Sequence, residues 1–135
     1  MGSPANNMFY YLTDASAMFA ESYVTYDKIS HIFANSYSGT MLHNNVGLNL
    51  NTMFYNCGSL TRVPVGHKFL QMNEYSSAYG MFNNCEYLHD NWDWTDSPYV
   101  LRCGDVRHMF EYSGLYEVTN LPIEVNNCGG MFSNC

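Results

Sequence analysis

Apolar residues recur along this chain in a fixed four-position pattern. A methionine–phenylalanine pair returns as Met8-Phe9, Met18-Phe19, Met53-Phe54, Met81-Phe82, Met109-Phe110 and Met131-Phe132, with Ile32-Phe33 as a variant. Taking the first member as position 0, position +4 holds Leu12, Ser22, Ser36, Cys57, Cys85, Ser113 and Cys135. Position −3 holds Ala5, Ala15, Ile29, Leu50, Ala78, Val106 and Cys128. Positions −3, 0, +1 and +4 lie along one side of a helix, whereas a strand alternates every second residue. At −4 stand Asp14, Asn49, Ser77, Asp105 and Asn127, whose side-chain oxygens suit the N-cap of a helix. Pro4 and Lys28 depart from this, with Asp27 one step before Lys28. The pattern predicts a capped helix of about two turns at each copy. Isolated helices shorter than ~12–15 residues are marginal in water, so each copy must bury its stripe against its neighbours. Burying one Phe or Met side chain contributes roughly 1.5–3 kcal/mol to that stacking.

Leucines follow at +7 (Leu60, Leu88) or +6 (Leu115), and then come the β-like triplets Val63-Pro64-Val65, Trp92-Asp93-Trp94 and Leu121-Pro122-Ile123. Pro64 and Pro122 lack an amide donor, which suits an edge or a short strand. One unit reads as helix, turn, short strand and return loop. Successive pairs are 10, 14, 21, 28, 28 and 22 residues apart. The longer spacings fit a leucine-rich-repeat turn of ~20–29 residues. The expected fold is an α/β repeat, a leucine-rich-repeat-like solenoid of short capped helices and short parallel strands. Residues 1–36 form its irregular helical N-terminal end and 37–135 the solenoid, in one continuous domain. One longer helix through Met8–Tyr23 is the alternative for the first region.

The runs Met53-Phe-Tyr-Asn-Cys-Gly-Ser-Leu60 and Met81-Phe-Asn-Asn-Cys-Glu-Tyr-Leu88 resemble the MF-x-x-C-x-x-L core of BspA-like leucine-rich repeats. The branch they look most like is found in bacterial surface proteins and mycoplasma-type lipoproteins. Met109-Phe-Glu-Tyr-Ser-Gly-Leu115 and Met131-Phe-Ser-Asn-Cys135 match in part, so the resemblance covers about Leu48 to Cys135. It implies parallel short strands on one face and a role in adhesion or partner binding without catalysis.

Charged residues make up only 13% of the chain, and tyrosine, asparagine, serine and glycine take their place, with 12 Tyr. Such a surface resembles antibody contact surfaces, where tyrosine supplies rigid area and small polar residues adapt. Structural use of the same residues, asparagine in repeat turns and tyrosine outside strands, explains the composition equally well. A net charge of −7 disfavours nucleic acid and anionic lipid as partners. No apolar run reaches the ~18 residues of a membrane span. The N-terminus shows neither region of a signal peptide.

Candidate chemistry is sparse. Cys57, Cys85 and Cys135 share a site with serines, and Cys128 one with Ala, Val, Leu and Ile, the exchange shown by small unpaired thiols. No zinc spacing appears, and Cys103, outside the pattern, is the thiol expected to be exposed. The acidic loop Asp90–Asp96 lacks calcium-loop spacing. His31, His43, His67, His89 and His108 are scattered, and no hydrolase, P-loop or dinucleotide motif occurs. No catalytic residue, metal or cofactor is therefore assigned. The candidate partner-binding residues are Asn91, Trp92, Asp93, Trp94 and Tyr99. Trp92 and Trp94 fit either a core rung or an exposed anchor. The expected role is a non-enzymatic binding or adhesion module at the cell surface or outside the cell, engaging a protein or glycan. The alternative is a structural subunit, of a virion or surface appendage, whose open C-terminal end packs on a partner.

Overall fold

The computed structural model describes residues 14–36, 47–64, 72–89 and 91–135. Five of the seven Met-Phe copies fall in a common backbone form, and it is not helical. Position −1 has positive φ in every one of them: Ala17, Thr52, Gly80, His108 and Gly130. So does position +3, at Glu21, Asn56, Asn84, Tyr112 and Asn134. A right-handed helix cannot contain such residues, because the left-handed region costs roughly 1–2 kcal/mol for an ordinary side chain. Each copy is instead a run of three overlapping turns. The amides at 0, +2 and +4 donate to the carbonyls at −3, −1 and +1 over 3.0–3.4 Å. Positive φ at the second central residue makes the outer two turns type II.

The amides in between do something different. Those at −3, −1, +1 and +3 donate to the carbonyls at −4, −2, 0 and +2 of the following copy, over 2.7–3.1 Å at all four junctions. The copies thus form a ladder whose rungs are residues 14–22, 49–57, 77–85, 105–113 and 127–135. The −4 residues supply parallel bridges between rungs, Asp14 to Asn49, Asn49 to Ser77 and Ser77 to Asp105. At three of them the side chain accepts the amide at −2, Asp14 from Ser16 (2.9 Å), Asn49 from Asn51 (3.1 Å) and Asp105 from Arg107 (3.0 Å), whereas the Tyr79 amide donates to Asn51 Oδ1 (2.9 Å). The first three are Asx turns, so these residues, expected as helix caps, perform the same chemistry on a different backbone.

Stacking the rungs puts like on like. Phe19, Phe54, Phe82, Phe110 and Phe132 form a column of near-parallel rings with centroids 5.3–5.6 Å apart. Rung spacing of ~4.8 Å with a small lateral offset gives this favourable arrangement. Phe54, Phe82 and Phe110 are fully buried with Met53, Met81 and Met109. Beside the rings runs the +4 column. The thiols of Cys57, Cys85 and Cys135 donate to the carbonyls of Phe19, Phe54 and Phe110 in the preceding rung, over 3.0–3.1 Å. Ser22 and Ser113 occupy the same column.

Two short sheets complete the last coils. β1 (Asn91–Asp93) pairs in parallel with β3 (Glu117–Thr119), and β2 (Leu101–Asp105) with β4 (Ile123–Asn127). Trp92 therefore lies against Val118, and Ile123 against Leu101, so the triplets Trp92–Trp94 and Leu121–Ile123 are not equivalent rungs. β1 meets the ring column, with Trp92 edge-on to Phe110 at 4.9 Å.

The expected solenoid of capped helices and parallel strands does not form. Among the described residues the one α-helix is α1 (Tyr26–Ser36), capped by Thr25, whose hydroxyl accepts the Lys28 amide at 3.3 Å. It contains the variant copy Ile32-Phe33. Nor is there a long helix through Tyr23, since residues 14–22 are the first rung and bond directly to 49–57. The physical reason is that the −3, 0, +1, +4 stripe is shared by a helix and by this triple turn. Glycine at −1, in Gly80 and Gly130, favours the turn, and the hydrogen bonds that each rung makes to its neighbours hold the other copies in it. The copy at Met8-Phe9 and the position Val65 lie outside the described residues.

Candidate partner-binding groove

The repeat positions that face outward on the return side of the last three coils form an open groove of about 470 Å³, lined by Asn73, Glu74, Tyr75, Arg102, Glu124 and Asn126. The ladder sets their register. The Met72 amide donates to the Arg102 carbonyl (2.7 Å) and the Leu101 amide to the Pro122 carbonyl (2.9 Å), so equivalent segments lie one rung apart. Asn73 closes an Asx turn, its side-chain oxygen accepting the Tyr75 amide and the Ser76 hydroxyl, each at 3.0 Å. That turn presents Tyr75, 66% exposed, at the groove. The close fit of β2 beneath it depends on Gly104, where a Cβ would lie 2.4 Å from the Glu74 carbonyl oxygen.

Electrostatically the groove is net negative, with Glu74 and Glu124 against Arg102. Arg102 Nε donates to Glu124 Oε2 at 2.8 Å. Both side chains are well exposed, so the pair orients groups more than it stabilises the fold. Glu74 is exposed. The floor includes Cys103, only 1% exposed, whose thiol donates to the Ser76 carbonyl at 3.3 Å. Burial pushes that thiol up to about 11. The expectation that Cys103 is exposed is therefore corrected: its position on the inward face of β2 covers it, and Cys128 and Cys135 are the exposed thiols. All five cysteines are free. Burial likewise pushes Cys85 up to about 12 and raises Cys57.

The sequence-derived candidates do not converge on one site. Asn91 opens β1. Trp92 and Trp94 are 3% and 2% exposed and belong to the core, so neither is available as a surface anchor. Asp93 is exposed, but its carboxylate accepts the amide (2.9 Å) and hydroxyl of Thr95 in a local turn. Tyr99 is half-buried against the core. The groove residues lie off the apolar positions of the repeat, so its pattern does not point to them. The 22-residue spacing aligns Arg102 with Glu124, but the Asx turn at Asn73 bulges residues 73–76 out of the 28-residue register, since the Met72 amide already bonds the Arg102 carbonyl.

A second polar cluster lies on the motif side. Arg107 sits 5.3 Å over the Tyr79 ring and pairs with Asp105 at 2.9 Å. Bonding to the Arg107 side chain holds the Asp105 carboxyl below its ordinary range. His108 meets Tyr79 edge-on and contacts Glu111 at 2.7 Å. Among the described residues no three His, Cys, Asp or Glu side chains converge as a metal-binding set. No described helix is long and apolar enough to cross a membrane. No family model matches the chain, and neither the curated proteins nor the solved structures give a match.

Proposed function

We propose that this protein is a non-enzymatic binding module that presents a tyrosine- and asparagine-rich face to a protein or glycan outside the cell. The observation that carries the reading is the groove: rigid backbone rungs beneath outward-facing Asn73, Glu74, Tyr75 and Asn126. A ladder in which nearly every turn amide is bonded holds such groups in place without ordering cost on binding. The likeness of the Met53–Leu60 and Met81–Leu88 runs to BspA-like repeats agrees with an adhesive role. Immobilised protein should bind a member of a panel of extracellular proteins and glycans saturably. Absence of saturable binding across the panel counts against the module.

A further inference from the structure

We propose that the groove on the return side binds a neutral, unbranched oligosaccharide, with one pyranose seated on Tyr75 and its hydroxyls taken by Glu74 and Asn126; this rests on the binding-module reading and narrows it. Four observations lead there. First, the groove crosses three successive rungs, a span of about 10 Å at ~4.8 Å per rung. One rung spacing is close to the length of one pyranose residue, so a linear glycan and the ladder keep step.

Second, the groove combines a highly exposed aromatic side chain with uncommitted polar groups. Tyr75 is 66% exposed, and Glu74 and Asn126 are exposed beside it. The face of an aromatic ring is electron-rich and attracts the weakly positive C–H face of a sugar ring. A carboxylate and an amide supply the charge-assisted and paired hydrogen bonds that vicinal hydroxyls take best.

Third, charge excludes anionic ligands. The one guanidinium in the groove is held by Glu124, Glu74 adds a further negative charge, and the chain carries −7 overall. Sialylated, sulfated or phosphorylated ligands meet net repulsion here. Fourth, a peptide is poorly served. A chain laid along the groove crosses β2 and β4 rather than running beside them, so it gains no backbone ladder from their paired edges, and only the outer edge of β4 is left unpaired among the described residues. The apolar part of the lining is small, being Cys103 and the half-buried Val125.

Calorimetry on the intact chain tests the assignment with cellotriose, maltotriose and chitotriose (the N-acetylated trimer) as probes, and with sialyllactose and trilysine as charged controls. At least one neutral trimer is expected to bind with Kd near or below ~1 mM, the range of shallow sites. Tyr75→Ala should weaken it about tenfold, and Tyr75→Phe, which keeps the ring, should restore most of the loss. Glu74→Gln should weaken it severalfold, whereas Tyr112→Ala, on the motif side, should leave it unchanged. Circular dichroism of each variant identifies any loss of fold. No heat with any neutral trimer, or neutral binding indifferent to Tyr75→Ala in a folded variant, overturns the proposal, as does preferential binding of trilysine or sialyllactose. Saturable binding of a protein partner without any response to the trimers overturns this inference alone. No binding to anything in either panel overturns the module reading as well.

Discussion

Two segments of this chain carry the same apolar spacing and fold differently. Ile29, Ile32, Phe33 and Ser36 lie in α1, whereas Ala78, Met81, Phe82 and Cys85 lie in a triple turn. Both segments bury their first member completely, at Ile29 and Ala78. The difference lies in the positions between. The turn has Gly80 at −1 and Asn84 at +3, both with positive φ, and Ser77 at the bridge position. The helix has His31 and Asn35 at −1 and +3, with a Thr25 cap and Asp27 in the first turn. A hydrophobic stripe fixes which side is buried, but the residues off the stripe fix the backbone that carries it.

The largest test of this comparison is Phe82→Ala, which removes the centre of the ring column and should cost about 3–5 kcal/mol in urea unfolding. A loss under ~1 kcal/mol would show that the column contributes little and that the rungs stand on hydrogen bonds alone. Of at least similar size is the alkaline response of the buried thiols. Cys85 and Cys103 have folded-state values of about 12 and about 11, above the ordinary 9.0 of an unfolded thiol. The folded state therefore holds protons that the unfolded state releases. Stability should be intact below about pH 9 and fall between pH 9 and 12, by about 1.4 kcal/mol per pH unit for each thiol at full effect. Replacing Cys85 by serine, the residue of Ser22 and Ser113, should shallow that slope.

Smaller effects discriminate the two backbones directly. Gly80→Val should destabilise by about 1–2 kcal/mol through its positive φ alone, since a Cβ there meets nothing closer than 3.5 Å. Lys28→Ala in the exposed face of α1 should change stability by less than ~0.5 kcal/mol. Thr25→Ala should cost ~1 kcal/mol through the lost cap. At the bottom of the scale, Thr52→Gly should stabilise by about 0.5–1 kcal/mol, because a β-branched residue at positive φ is strained. If Thr52→Gly destabilises and Gly80→Val is silent, the left-handed positions do not govern the turn.

The repeat and the buried pairs of its central rungs, Met53-Phe54, Met81-Phe82 and Met109-Phe110, were legible in the sequence, because burial leaves a periodic trace, whereas Met18, Cys128, Phe132 and Cys135 in the outer rungs are exposed. The backbone was not, since −3, 0, +1, +4 is common to two structures. A partial signal was present in Gly80 and Gly130, whereas asparagine at +3 does not discriminate, since Asn35 holds that position in α1. Ala17, Glu21, Thr52, His108 and Tyr112 obscured it, because none of them favours that conformation. The skipped unit was also hidden. Met18 finds its partner at Met53, 35 residues on, after an excursion that includes α1, so spacing along the chain misorders the first rungs. The candidate site was illegible for another reason: tryptophan is used both in cores and in contacts, and composition does not separate them.

Alternation of bonds within and between rungs has an electrical consequence. In an ordinary strand successive peptide dipoles oppose one another. Here the four peptides that link neighbouring rungs all point the same way, carbonyl toward the earlier rung and amide toward the later one. At ~3.5 D each, these dipoles add along the stack as they do in a helix. Across the described rungs the positive end of this dipole lies at residues 128–134, in a chain of net charge −7. An added carboxylate there should be welcomed where a lysine is not.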